Sequence, residues 1–180
     1  MFDKLGFHYS EKQYKMKKTN SLSIMITLLL LFLSSCSEKK SDQVDLINET
    51  FPAAQNELRE VINSIVKDSE TANLEGLKAS HLLSDKFTKF GPRSFERQDV
   101  ERTNESELAH FGSISNFKAE VEDLKIDVFG DIGIATYYPH VSFEKDGEEI
   151  TGSARQTLVF LKTGEGWKII HEHGTKRPME

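Results

Sequence analysis

Apolar residues fall along this chain in three regimes of spacing. From Ile24 to Leu33 they form an almost continuous run, interrupted by Thr27. From about Val44 the steps become three and four: Leu58, Val61, Ile62 and Ile65 share one stripe, which predicts an amphipathic helix. A second short helix is predicted over Asn73 to Leu83, with Leu74, Leu77 and Leu82 as its apolar face. Lys86 to Phe90 carries the Phe-Thr-Lys-Phe pattern of a short strand, stopped by Gly91-Pro92. The charged stretch Glu96 to Phe111 reads as a third, more exposed helix ending on Leu108 and Phe111. From Asn116 onward the period is two. Phe117, Ala119 and Val121 alternate with polar residues, and so do Leu124, Ile126 and Val128, but with the opposite parity. That slip requires a break or a β-bulge near Glu122-Asp123. Gly130-Asp131, Asp146-Gly147 and Gly164-Glu165-Gly166 separate the later strands Ile132 to Phe143, Thr151 to Lys162 and Trp167 to His173. Short turns of this kind join antiparallel hairpins. Three helices followed by a meander predict an α+β fold.

The first apolar run has another meaning. Its ten residues are too few to span a bilayer core, which takes about 20. Lys15, Lys17 and Lys18 precede it and Leu33-Ser34-Ser35-Cys36 closes it. A positive flank, a short apolar core and a small-residue exit make a signal peptide. Leu-Ser-Ser-Cys resembles a bacterial lipobox, which implies that Cys36 receives a diacylglycerol and becomes the first mature residue. Two or more acyl chains anchor stably where one does not. Residues 1–35 are therefore expected to be a lipoprotein signal peptide and residues 36–43 a polar tether. Residues 44–178 are left as one domain in the bacterial cell envelope, with its membrane contact through the lipid anchor. Asp3 and Glu11 are out of place in a positive leader, so translation is expected to start at Met16.

Charge and cysteine narrow the possibilities. The chain has 23 Lys and Arg against 29 Asp and Glu, and 5 of the former and 2 of the latter precede Cys36, so the mature protein carries a formal charge of −9. Nucleic acid, which demands a basic face, is excluded as a partner. With its one cysteine acylated, the mature chain has no disulfide, no thiolate nucleophile and no Cys-rich metal site. No cofactor is expected.

The strand region carries a spaced series: Gly130-Asp131, Ile134-Ala135-Thr136-Tyr137, Gln156-Thr157-Leu158-Val159-Phe160 and Gly166-Trp167-Lys168-Ile169-Ile170-His171-Glu172-His173. It resembles the association domain of calcium/calmodulin-dependent kinase II and its bacterial relatives. These belong to the nuclear transport factor 2-like superfamily, with SnoaL-like cyclases and ketosteroid isomerase. The resemblance spans roughly Val44 to Pro178 and is detailed from Gly130 on. It implies a cone, in which a curved antiparallel sheet wraps the N-terminal helices and leaves a pocket at its wide end, and association through the outer sheet face. It implies no single activity, because this fold hosts enzymes, transport factors and assembly domains. In the kinase domain the pocket is lined by arginines that hold a carboxylate. On the shared landmarks those places fall at His140 (or Pro139), Leu158 and Gly174, so the anion site is expected to be lost or altered, with Arg102 and Arg155 as candidate replacements.

The final strand supplies the chemistry-bearing residues. Strict alternation would put Trp167, Ile169, His171 and His173 on one face and Lys168, Ile170 and Glu172 on the other. Two histidines at i and i+2 lack the third and fourth ligands of a metal site, so they are expected to pack beside Trp167 and hydrogen-bond across strands or across a dimer interface. An acid–base enzyme would use Glu172 as base, with His140, Tyr137 or Tyr138 as partner. No Gly-x-Ser-x-Gly elbow supports a serine hydrolase.

Three functions fit. The first is a non-enzymatic domain binding a small apolar or weakly acidic ligand, or a protein, with His140, Tyr138, Arg102, Arg155, Leu158 and Glu172 as candidate pocket residues. The second is a small-molecule isomerase, cyclase or hydrolase. The third is a structural homo-oligomer. A homodimer is expected in any case: Thr157, Val159 and Leu161 lie on one strand face, Leu158 and Phe160 on the other, and one layer of helices covers only one of them.

Overall fold

A computed structural model describes residues 44–178 other than Arg93. The signal peptide, Cys36 and the tether, all expected within residues 1–43, lie outside the described residues. Val44–Glu180 form one compact unit. The unit holds every described element and its own apolar core, which is what independent folding requires. None of its helices is long and apolar enough to cross a membrane.

The first helix, α1 (Pro52–Glu70), starts eight residues later than the spacing suggested. Asp45 is the reason: its carboxylate accepts from the backbone N–H of Ile47 and of Asn48, both at 3.1 Å, and ties residues 45–48 into a turn. Phe51 then takes a left-handed conformation, φ 48°, and Pro52 opens the helix at the position where a missing N–H costs nothing. α2 (Leu74–Ser80) is capped by Asn73, which accepts from Gly76 N. It stops short of the expected Leu83 because His81 is already extended and Leu82 N donates to Ile169 O at 2.8 Å. β1 (Thr88–Phe90) follows. α3 (Val100–Phe111) is capped by Asp99, whose side chain accepts from Arg102 N at 2.8 Å.

Four long strands complete the chain: β2 (Ser115–Phe129), β3 (Ile132–Lys145), β4 (Glu148–Thr163) and β5 (Gly166–Arg177). They form the expected antiparallel meander, and β1 adds to β5 in parallel, giving the order β1-β5-β4-β3-β2. The fold is α+β, with helices N-terminal to a curved five-stranded sheet. α1 packs Leu58 and Ile62 onto the inner face, against Ala135, Leu158, Phe160 and Ile169. Gly133 permits that approach: a Cβ there would lie 2.4 Å from Leu58 Cδ1.

Two bulges decide what faces inward. The first is the one the parity slip predicted. The β2–β3 register shifts between Glu122 and Lys125, and Asp123 has φ 53°. Val121 pairs with Pro139 and Ile126 with Ala135. An odd separation on β2 thus faces an even one on β3, which keeps both apolar sets on the inner face. The second bulge corrects the sequence reading. Ile169 pairs with Phe160 but His171 pairs with Val159, so Ile170 is an extra residue in β5. Trp167 and Ile169 point inward, and beyond the bulge it is Glu172, opposite Leu158, that points inward with them. His171 and His173 face out and do not pack beside Trp167. Their rings lie 6.1 and 5.9 Å from Phe90 on β1, and His171 Nδ1 is 2.8 Å from Thr88 Oγ1.

Candidate functional site

Between the helices and the inner sheet face lies a cavity of about 590 Å³. Ile65 of α1, Phe111 of α3, and Phe117, Val141, Phe143 and Ile150 of the sheet give it apolar walls. Phe111 and Phe117 meet edge to face at 5.4 Å, and Phe117 stacks on Phe143 at 6.4 Å. Phe117 is inward-facing on β2, and Val141, Phe143 and Ile150 follow from the inward parity of β3 and β4.

The polar end of the cavity is drawn from four elements. The β5 bulge turns Glu172 inward. Parallel pairing sets Lys89 of β1 beside it, the end of α2 brings His81, and α3 brings Glu107. Glu172 Oε1 lies 2.8 Å from His81 Nε2, and its Oε2 lies 2.9 Å from Lys89 Nζ. A carboxylate only accepts, so His81 Nε2 carries the hydrogen. Lys89 Nζ also donates to Glu107 Oε1 at 2.9 Å, and His81 Nδ1 faces the Asn104 side-chain amide at 3.4 Å. Burial by itself pushes the Glu172 carboxyl up, but the Lys89 charge and the His81 hydrogen bond outweigh it and hold Glu172 at about 2. Burial likewise pulls Lys89 down, and the charges of Glu172 and Glu107 override it and raise Lys89 to about 12. Tyr137 of β3 lines the cavity as well. Burial first, and the Glu172 charge second, push its phenol above the ordinary range, so it stays a protonated donor.

His81, Glu107 and Glu172 place one ligand atom each within 4.8 Å of one another, a donor set of the kind a divalent cation takes. The position between the two carboxylates is filled by the Lys89 ammonium, 2.9 Å from an oxygen of each. A metal about 2.0–2.2 Å from those oxygens would collide with it. These residues therefore fit a captive lysine, not a resident metal.

The residues singled out from the sequence divide between the two faces of the sheet. Leu158, Glu172 and Tyr137 line the cavity. Tyr138, His140 and Arg155 are not among its lining residues; their register places them on the outer face. There His140 Nε2 is 2.8 Å from Glu122 Oε2, Arg177 lies 3.6 Å from the same oxygen, and the Arg177 guanidinium covers the Tyr138 ring at 4.8 Å. Arg102 is exposed and pairs with Glu96 at 2.9 Å. Trp167 is inward, its indole donating to Glu57 at 2.9 Å. Glu172 therefore shares the cavity with Tyr137 and not with His140 or Tyr138. His81, Lys89 and Glu107 were invisible to motif reading, since each stands alone in its segment. The one available signal was Lys89 inside the short Phe-Thr-Lys-Phe strand.

In this arrangement Glu172 and His81 are engaged with neighbouring side chains. A general base needs a free lone pair facing the substrate and a pKa near the working pH. Glu172 has both oxygens engaged and a carboxyl held near 2. Both ring nitrogens of His81 face a polar partner.

A model of the SnoaL-like domain family matches residues 58–177. Among curated proteins none matches the sequence. Several solved structures share the fold. One is a nuclear transport factor 2-like superfamily protein from Salmonella enterica serovar Typhimurium, 19% identical, covering 71% of this chain and 93% of its own at a TM-score of 0.65. Another, from Streptomyces avermitilis, is described as a dehydratase of the nuclear transport factor 2-like family; it is 14% identical over 71% of this chain and 98% of its own, TM-score 0.64. A third, from Xanthomonas campestris, is described as a calcium/calmodulin dependent protein kinase II association domain; it is 16% identical over 69% and 88%, TM-score 0.60. At these identities the likeness is one of fold. The family match covers two thirds of the chain in the same residues that build the cone and its cavity, and the chain belongs to the SnoaL-like domain family, with the fold of nuclear transport factor 2-like proteins.

Proposed function

We propose that this protein is a lipid-anchored envelope protein whose domain binds a small, mainly apolar ligand without transforming it. One observation carries the reading: the cavity has apolar, largely aromatic walls, and the charged groups at its polar end are spent on one another. Its volume falls within the roughly 300–1,000 Å³ of small-molecule sites. The test is the fluorescence of N-phenyl-1-naphthylamine, an uncharged apolar probe, with Val44–Glu180. Saturable enhancement is expected, and Val141→Trp, which fills the cavity, should abolish it. No enhancement, or enhancement that survives Val141→Trp, contradicts the reading.

An isomerase, cyclase or hydrolase is the second reading, favoured by Tyr137 facing the same cavity as Glu172. The Lys89 lock on Glu172 weighs against it. Anchoring rests on the lipobox, and Cys36→Ser should remove fatty-acid labelling. The outer face adds a homodimer to the proposal. With Phe160 fully buried inward, Val159 is the outward member of the pair and the centre of the expected interface. Light scattering on Val44–Glu180 should give twice the chain mass, and Val159→Lys should give the single mass.

A further inference from the structure

Apolar side chains are left bare at one end of the domain. Ile47 is 86% exposed, and Val44, Leu46 and Phe129 are exposed as well. They belong to two segments that meet: a Cβ on Gly130, which follows Phe129 in the β2–β3 turn, would lie 3.4 Å from Leu46 Cδ2. Leu83, also exposed, lies by the β4–β5 turn with Thr163 and Gly164. In an antiparallel meander the β2–β3 and β4–β5 turns share one end of the sheet. The first segment has an order of its own. Asp45 accepts from the backbone N–H of Ile47 and Asn48, and Glu49 from those of Thr50 and Phe51. Phe51 packs against the core, whereas Ile47 is held outside it. Grouped apolar exposure of this kind marks an interaction surface.

The chain before it indicates the partner. Eight peptide bonds separate Cys36 from Val44, a reach of at most roughly 25–30 Å. A 16-residue strand such as β4 is about 50 Å long. Acyl chains on Cys36 would therefore bring this end of the sheet to the headgroups before the other. The residues between, Ser37 to Gln43, are polar and offer nothing apolar to cover Ile47. The acidic chain gains nothing from anionic lipid, which leaves apolar contact with the interface as the attractive force.

We infer that the end of the domain formed by Val44, Leu46, Ile47 and Phe129 seats on the lipid surface, so that the β2–β3 turn meets the headgroups and the cavity lies at the end turned to water. Phe143 and Ile150, which line the cavity, belong to that far end, where they pair next to the β3–β4 turn. A ligand would then enter from the aqueous side and not out of the bilayer. The inference rests on lipidation of Cys36.

The experiment uses Cys36–Glu180, which carries one thiol. Coupling that thiol to maleimide-bearing phosphatidylethanolamine in phosphatidylcholine vesicles supplies the anchor chemically. Hydroxyl-radical footprinting then compares side-chain oxidation in the coupled and the free protein. On coupling, oxidation of Leu46, Ile47 and Phe129 is expected to fall to the level of the buried Leu58 and Ile62, while Ile150 and Leu108 stay as in the free chain. Leu46→Glu with Ile47→Glu should restore Phe129 to its free level with an unchanged urea midpoint, and Ile47→Glu alone should restore it in part. Equal oxidation in both states, or protection of Ile150 in place of Ile47, overturns the orientation. Protection of Ile47 that rises with concentration in the free chain makes the patch an interface between copies and overturns it too. Because the anchor is imposed, these outcomes are separate from the fate of the lipobox. If the unaltered full chain takes up no fatty-acid label at Cys36, the anchor falls and this inference falls with it.

Discussion

On the inner face of the sheet Glu172 is held by His81 and Lys89; on the outer face Glu122 is held by His140 and Arg177. Both clusters join a carboxylate to an imidazole at 2.8 Å and to a cation, at 2.9 Å inside and 3.6 Å outside. They differ in water. The Glu172 side chain is 9% exposed and that of Glu122 59%. Burial turns the inner cluster into a lock, because a buried charge that loses its partner keeps its desolvation cost. The outer cluster, in high dielectric and open to salt, has little to lose. Similar sets of charged residues therefore do different jobs on the two sides of one strand layer. The inner set fixes the polar end of the cavity, and of the outer set Arg177 alone is among the lining residues.

The largest expected effect comes from breaking the lock. Lys89→Met should destabilise Val44–Glu180 by ~3–5 kcal/mol, read from urea unfolding, whereas Arg177→Met on the outer face should leave the midpoint where it was. Equal effects would erase the distinction between the faces.

Acid and alkali should separate the clusters next. Glu172 is depressed in the folded state, so its stabilisation is full above its ordinary value of 4.5 and is lost as pH falls toward about 2. Lys89 is raised, so its contribution is full below 10.5 and is lost as pH rises toward about 12. Unfolding midpoints measured from pH 2 to 12 should fall at both ends, and Glu172→Gln should flatten the acid limb. Glu122 is also depressed, chiefly by the His140 hydrogen bond, but its side chain is more than half exposed, and Glu122→Gln should leave the acid limb unchanged.

Coupling is the subtlest of the three. In a double-mutant cycle, Lys89→Met with Glu172→Leu should recover ~1–3 kcal/mol relative to the sum of the single changes. The cycle Arg177→Met with Glu122→Leu should be additive. Additivity on the inner face would mean that Lys89 and Glu172 are neighbours and nothing more.

The contrast also explains what the sequence made legible. The element order and the first bulge could be read because the residues on either side of Glu122-Asp123 are apolar, so the change of parity shows. The bulge at Ile170 could not. Ile169 and Ile170 are both apolar, and nothing in the letters says which of them is the extra residue. That single slip reversed the faces of His171, His173 and Glu172. Glu172 was legible as a candidate, Tyr137 as one of two adjacent tyrosines, and Leu158 through the family landmarks. His81, Lys89 and Glu107 were not, because they reach Glu172 from three separate segments, Lys89 by a three-residue parallel pairing between positions more than 80 residues apart, and long-range convergence leaves no local period. His140 was placed in the pocket through the same landmarks, Tyr138 and Arg155 on residue type, and strand parity sends all three to the other face.

The most direct test of the captive carboxylate, and so of a cavity built to bind and not to transfer protons, is the titration of Glu172. Carbon-13 side-chain NMR of glutamate-labelled Val44–Glu180, with the signal assigned through Glu172→Gln, would follow that carboxyl through pH. The expected result is a chemical shift unchanged from pH 8 down to pH 4, with protonation only as the domain unfolds in acid. A midpoint between pH 5 and 8 in the folded protein would contradict it and make Glu172 a working acid or base.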